Sequence, residues 1–167
     1  MQSNKWSVAA QNAIILALVT ILATLIQAVF PSMPGFMGIV IWVVKLSLSV
    51  YLVYYFIKEY SKNFETFTYK QGFHFGTILC LLSSVIGAAY LFLHMGFLFP
   101  EATSSQMELV AQSMQSSNPD GAEAVMGVMA HLPKLAFVFA LIYYTLFGMI
   151  VSAIVANYTK KGDIFAQ

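Results

Sequence analysis

An all-α integral membrane protein is the fold class this sequence predicts: a four-helix transmembrane bundle with an extracytoplasmic amphipathic helical hairpin between spans 3 and 4. Three observations predict it. Four apolar runs, at about 8–30, 36–57, 73–99 and 135–158, each exceed the roughly 20 residues a helix needs to cross a hydrocarbon core. Charge is scarce: 9% of residues are charged, 59% are hydrophobic and mean hydropathy is +0.77, where a soluble domain carries about 25% charged residues. Between the third and fourth runs lies a polar stretch, 100–132, with helical periodicity and a turn signal near its centre. Lipid satisfies no exposed peptide group, so the apolar runs must close their hydrogen bonds internally as helices. The chain, 1–167, reads as one four-span membrane domain.

The first run is longer than a secretory signal core, only Lys5 precedes it, and Pro31-Ser32-Met33-Pro34 is no small-residue cleavage site. It therefore reads as a retained span. The turn 31–35 leads into the second run without a charge. The loop 58–70 then brings Lys58, Lys62 and Lys70, while Lys5 precedes span one and Lys160-Lys161 follow span four. No lysine falls in 31–35 or 100–132. The positive-inside rule puts both termini and the 58–70 loop in the cytoplasm of a bacterial inner membrane, with 31–35 and 100–132 periplasmic. Tyr54, Tyr55, Tyr60 and Tyr69 suit the inner interface, where amphipathic rings settle.

Within 100–132, Met107, Val110, Ala111 and Met114 recur at helical spacing. Asn118 as N-cap and Pro119 at the first helical position start a second helix. It runs through Glu123, Val125, Met126 and Met129 towards His131, and Pro133 marks a kink or fresh start before span four.

Steps of three and four define a seam on each span. These are Ala10, Ala13, Ala17, Thr20, Thr24 and Gln27; Gly38, Trp42, Lys45, Ser49 and Leu52; Gly76, Cys80, Ser83, Gly87, Tyr90 and His94; and Lys134, Val138, Leu141, Thr145, Gly148 and Ser152. A period near 3.5 marks the contact stripe of a left-handed bundle, and small or weakly polar residues there let membrane helices approach closely. Gly72 with Gly76, and Gly148 with Ser152 and Ala156, are stripes that could also join two copies.

Lys45 stands apart. It lies nine residues past Phe36, roughly 13 Å below the outer boundary at 1.5 Å per residue. A lysine at that depth costs about 2.5–3.5 kcal/mol, so something should compensate. Snorkelling towards the outer side brings its ammonium to the height of Gln27, His94 and Lys134, with His131 and Glu101 just above. Such a basic cluster calls for an anion. Three readings stay open: an internal counter-ion from Glu101, Glu108 or Glu123 folding down as a lid, a bound anion or lipid head group, or water alone. Trp42, one turn away, is expected to add a cation–π contact.

Several functions are excluded or thin. A net charge of +1 with eight lysines and no arginine offers no nucleic-acid footprint. Cys80 is the sole cysteine, which excludes a disulfide framework. No catalytic constellation is visible, so no enzyme and no cofactor is expected. Met126, Met129 and His131 superficially match soft copper sites, but methionines at this spacing are ordinary packing residues, and no metal is expected. His74 reads as a polar boundary residue beside Lys70. No span carries a buried carboxylate, which counts against an ordinary proton-coupled carrier.

The basic loop leading into Thr68-Tyr69-Lys70-Gln71-Gly72-Phe73, the glycine-containing third span, the acidic outer stretch and the ending Phe147-Gly148-Met149-Ile150-Val151-Ser152-Ala153-Ile154 before Lys160-Lys161 carry a resemblance. The chain resembles a domain-of-unknown-function family of small four-span inner-membrane proteins, chiefly from Bacteroidetes-type bacteria. The resemblance implies a helper role beside membrane glycosyltransferases acting on lipid carriers, and it brings no catalytic or binding residue with it. Two functions are expected from the residues. One is a non-enzymatic membrane subunit or scaffold that binds membrane lipids, a lipid-linked intermediate, a membrane protein partner or a second copy. The other is a small transporter or flippase-like component for an anionic or amphipathic substrate.

Overall fold

The computed structural model describes residues 4–30 and 34–162, leaving aside the side chains of Gln106 and Ala130. Most of the expected 31–35 turn thus lies outside the described residues. The protein is all-α. Helix α1 covers Lys5–Val29, α2 Gly35–Ser61, α3 Tyr69–Leu93, α4 Pro100–Gln115, α5 Pro119–Val128 and α6 Leu132–Thr159. A π-turn, His94–Leu98, extends α3, and a 3₁₀ turn, Met129–His131, precedes α6. Four helices, Lys5–Val29, Gly35–Ser61, Tyr69–Leu98 and Leu132–Thr159, are long and apolar enough to cross a membrane. They overrun the expected spans by a few residues at most ends, because the lysine-bearing first and last turns are helical too. The chain forms two compact units, Met1–Gly87 with Leu141–Gln167, and Ala88–Ala140.

Local sequence sets the helix ends. Asn4 caps α1 by accepting from the Trp6 amide at 3.2 Å. At the start of α3, Gln71 Oε1 accepts from the Thr68 amide at 2.8 Å while Thr68 Oγ1 accepts from the Gln71 amide at 3.3 Å. This reciprocal pair is a capping box, and it starts the helix at Tyr69, four residues before the apolar run. At the other end Pro100 has no amide to donate and drives Phe99 out of the α region, to φ −136° and ψ 51°. The Phe99 amide instead reaches back to the His94 carbonyl at 2.8 Å, closing the wider π-turn.

In the first unit the interior combines small residues, aromatics and aliphatics such as Ile57 and Leu79, while many further large aliphatics lie on the surface. Ile14, Ile15, Leu18 and Leu22 on α1, Val40, Val43 and Val44 on α2, and Ile142, Leu146, Ile150 and Ile154 on α6 are exposed. Lipid tails would cover them at no hydrophobic cost. Helices α3 and α6 approach closely at their glycines. A Cβ placed on Gly76 would lie 2.6 Å from Ser152 Oγ and 2.7 Å from Ile57 Cδ1, and one on Gly72 would lie 3.2 Å from Ala156 Cβ. One on Gly148 would overlap Cys80, with its Sγ at 2.8 Å. Further along, Ser84 and Thr145 hydroxyls hydrogen-bond at 2.7 Å. The two small-residue stripes therefore meet each other within one chain.

At the lysine-bearing end, Tyr60 stacks on Phe75 at 4.0 Å between ring centroids and 5° between planes, with Phe64 and the fully buried Phe67 packed edge-on. Tyr60 is thus a core residue and not the interfacial ring expected of it, whereas Tyr55 and Tyr69 are exposed. The chain's last described turn folds back here. Lys161 and Phe67 exchange backbone hydrogen bonds at 2.9 and 3.1 Å, and Lys161 Nζ donates to the Ser61 carbonyl at 2.8 Å.

In the second unit α4 and α5 pack as a hairpin. Asn118 Oδ1 accepts from the Gly121 amide at 3.0 Å, and Pro119 occupies the first helical position, as the sequence predicts. Ala111 and Ala122 are buried between the helices, and Met107 and Met114 are half-buried. Val110, expected on that inner stripe, is exposed, as is Leu109.

Two outcomes test this packing. Gly148→Ala should lower the unfolding free energy in micelles by about 1–3 kcal/mol through overpacking, and adding Cys80→Gly should recover part of the loss, both read by reversible denaturant titration of helicity. Asn118→Ala should cost the hairpin about 1 kcal/mol, seen as faster hydrogen exchange at the Gly121 amide.

Candidate functional site

Lys45 is the eleventh residue of α2, and its side chain turns into the first unit. The ammonium lies over the Tyr144 ring, 5.6 Å from the centroid. Around it is a cavity of about 90 Å³ lined by residues of α1, α2, α3 and α6. The polar wall consists of Thr20, Ser49, Ser83, Ser84 and Tyr143 beside Lys45 and Tyr144. Leu16, Leu46, Val50, Val53 and Phe147 supply the apolar wall, and among the described residues no carboxylate belongs to the lining. Trp42 and Tyr143 both line the cavity and are half-exposed on the outer surface, at 51% and 50%. The cavity therefore meets the lipid-facing side between α2 and α6.

The magnitudes leave the charge incompletely answered. A mid-depth lysine costs about 2.5–3.5 kcal/mol. A desolvated cation–π contact returns about 2 kcal/mol. The hydroxyls nearby orient weakly and carry no charge, so about 1 kcal/mol of cost remains. An anion entering the cavity would remove it. The volume holds a few waters or one compact group such as a phosphate or carboxylate.

Of the five residues the sequence proposes for a ligand, Lys45 and Trp42 line this cavity. The ring over the ammonium is that of Tyr144, which corrects the expected Trp42 contact. Trp42 and Lys45 share one helix and lean the same way, so the gap between them persists and a ring on the facing helix fills it. Gln27 is exposed on α1. His94 and Lys134 belong to the second unit. There Tyr90 Oη and His94 Nδ1 lie 3.3 Å apart, and Phe99 packs on the His94 ring at 4.8 Å. Lys134 is exposed near the start of α6. The three carboxylates considered as counter-ions, Glu101, Glu108 and Glu123, are exposed on the hairpin. The ion pair recorded among the described residues joins Glu59 and Lys62 at 2.6 Å. That hydrogen bond and the carboxylate's charge hold the Lys62 ammonium above the usual lysine range.

Tyr144, Ser84 and Tyr143 were not on the predicted seams. A signal for the two tyrosines existed in the run Tyr143-Tyr144-Thr145, three consecutive hydroxyl-bearing residues in an apolar span. The cavity simply subtends a wider arc of α6 than one contact stripe. No group of His, Cys, Asp and Glu suited to a metal occurs among the described residues.

A family model described as protein of unknown function (DUF4199) matches residues 11–161. No curated protein and no solved structure matches the chain.

A double-mutant cycle tests the Lys45–Tyr144 contact. Lys45→Met should leave the fold intact and raise the unfolding free energy by about 1 kcal/mol, the cost left unanswered. Tyr144→Leu should lower it by about 2 kcal/mol with Lys45 present and by much less with Met there.

Proposed function

The chain belongs to the DUF4199 family, and on that footing we propose that it is a non-enzymatic membrane subunit that holds the anionic head of an amphipathic ligand at Lys45. The observation that carries this reading is an ammonium in a bundle cavity whose lining, among the described residues, has no carboxylate. A scaffold whose lysine served only packing would answer the charge internally. An acyl or isoprenoid tail would leave between α2 and α6, where Trp42 and Tyr143 are half-exposed. Lipid-linked sugars combine such a tail with phosphate, so a helper role beside a membrane glycosyltransferase suits the same site.

For orientation we assign the end carrying Lys5, Lys58, Lys62, Lys70, Lys160 and Lys161 to the cytoplasm of a bacterial inner membrane, with the hairpin periplasmic. Six of the eight lysines support that assignment. The second reading, a small transporter or flippase-like component, draws on the lateral opening. It requires the ligand to move on from Lys45 instead of resting there.

Trp42 offers a direct test, because Trp6 is the only other tryptophan. In a Trp6→Phe chain, dodecyl phosphate added to neutral micelles should shift Trp42 fluorescence saturably. Lys45→Met should weaken that response about 10–100-fold, the worth of a charge-assisted contact at 1.5–3 kcal/mol. An equal response in both chains would falsify the ligand role. Transfer of a fluorescent phospholipid between leaflets of proteoliposomes, lost in Lys45→Met, would favour the transporter.

A further inference from the structure

A second basic site lies at the lysine-bearing end of the first unit, at the opposite end of α2 from its Gly35 start. An open groove of about 1040 Å³ is lined there by Asn4, Lys5, Asn63, Lys70, Gln71 and His74 on its polar side, with Tyr60, Phe64 and Phe75 forming an aromatic floor. Lys5 Nζ lies 3.3 Å from His74 Nε2. An ammonium can only donate there, so the ring nitrogen must be the acceptor, and the pair keeps the full lysine charge. Lys70 adds a second cation to the same wall, and among the described residues the lining holds no carboxylate.

Three of the other four lysines at this end, all but Lys160, are engaged by the protein. Lys62 is tied to Glu59, Lys161 donates to the Ser61 carbonyl, and Lys58 lies over the Tyr54 ring at 5.3 Å. The groove also receives the capped N-termini of α1 and α3, through Asn4 and Thr68. Their dipoles add to the positive potential. Cations on one wall and aromatic rings on the floor match a molecule that is anionic at its head and apolar just beneath.

We infer that this groove binds the phosphate of an anionic phospholipid head group, clasped between Lys5, Lys70 and His74 with its glycerol backbone against the half-buried Phe64 ring. The shared chemistry is a phosphate ester, and a free one is the alternative source. The aromatic floor favours the lipid, since a free ester has nothing to lay on it. Zwitterionic heads bring a cation against Lys5 and should bind more weakly. This site is independent of the Lys45 reading, because no residue of the Lys45 cavity lines the groove.

The test uses the full chain carrying Lys45→Met, so that the inner cavity is silent. Native mass spectrometry from micelles with equimolar phosphatidylglycerol and phosphatidylcholine should show retained phosphatidylglycerol. Lys5→Gln/Lys70→Gln should reduce that retention about tenfold, as expected for two lysines facing an anionic head. Lys58→Gln/Lys160→Gln removes equal charge from the same end outside the groove and should leave retention unchanged. Calorimetric titration with sn-glycerol 3-phosphate separates the sources. Lipid retention without glycerol phosphate binding assigns the lipid, whereas glycerol phosphate binding lost in the groove variant assigns a free ester. Retention unaltered by the groove substitutions, an equal loss in the control pair, or no binding of either probe overturns the inference.

Discussion

Close approach of α3 and α6 is the constraint on which the first unit depends. Gly76 and Gly148 leave no room for a side chain and Gly72 little, and Ser152, Cys80 and Ala156 fill the space they vacate. In a bilayer, apolar side chains gain nothing by leaving lipid for protein, so helices hold together by dispersion contact and shared hydrogen bonds. Both scale with how near the backbones come. The Ser84–Thr145 hydroxyl pair, at 2.7 Å, exists because the glycines beside it bring the helices that near. Without that seam α6 would not present Tyr144 to α2.

The cavity is the complement of this packing. Towards Gly72 and Gly76, large residues of α2 such as Ile57 and Phe56 complete a solid core against the α3–α6 contact. Towards Gly87 the facing residues on α2 are Lys45 and Ser49, and the lining turns polar and incompletely filled. Stability is thus concentrated at the lysine-bearing end, and polar character at mid-depth. Sites that bind commonly carry such a local deficit, because a group fully satisfied by its own protein has little left to offer a ligand.

The same division explains which readings were legible. Four spans, the helical hairpin, the Asn118–Pro119 start and most seam positions follow from residue periodicity and turn chemistry, which are local properties. Thr68 and Gln71 encode a capping box in plain sight, and reading them would have moved the start of α3 back to Tyr69. The partner of each stripe was not legible. Gly72 with Gly76, and Gly148 with Ser152, each suit a contact with any small-residue helix, including a second copy. Tyr60 shows the same gap, since a tyrosine near a span end suits either an interface or a stack, and Phe75, fifteen residues on, decides for the stack.

Hydropathy, lysine spacing and helix-breaking residues were sufficient for the number of spans, their limits to within a few residues, and the singular position of Lys45. Those features depend on the bilayer and on the chain's nearest neighbours, which any sequence displays. The answer to the Lys45 charge depended on long-range packing. Which ring meets an ammonium is set by the rotation of α6 about its axis, and one residue's step, from Thr145 to Tyr144, turns the side chain by about 100°. Only the assembled helices fix that rotation, because the close contacts of Gly148 and Ser152 admit a single one.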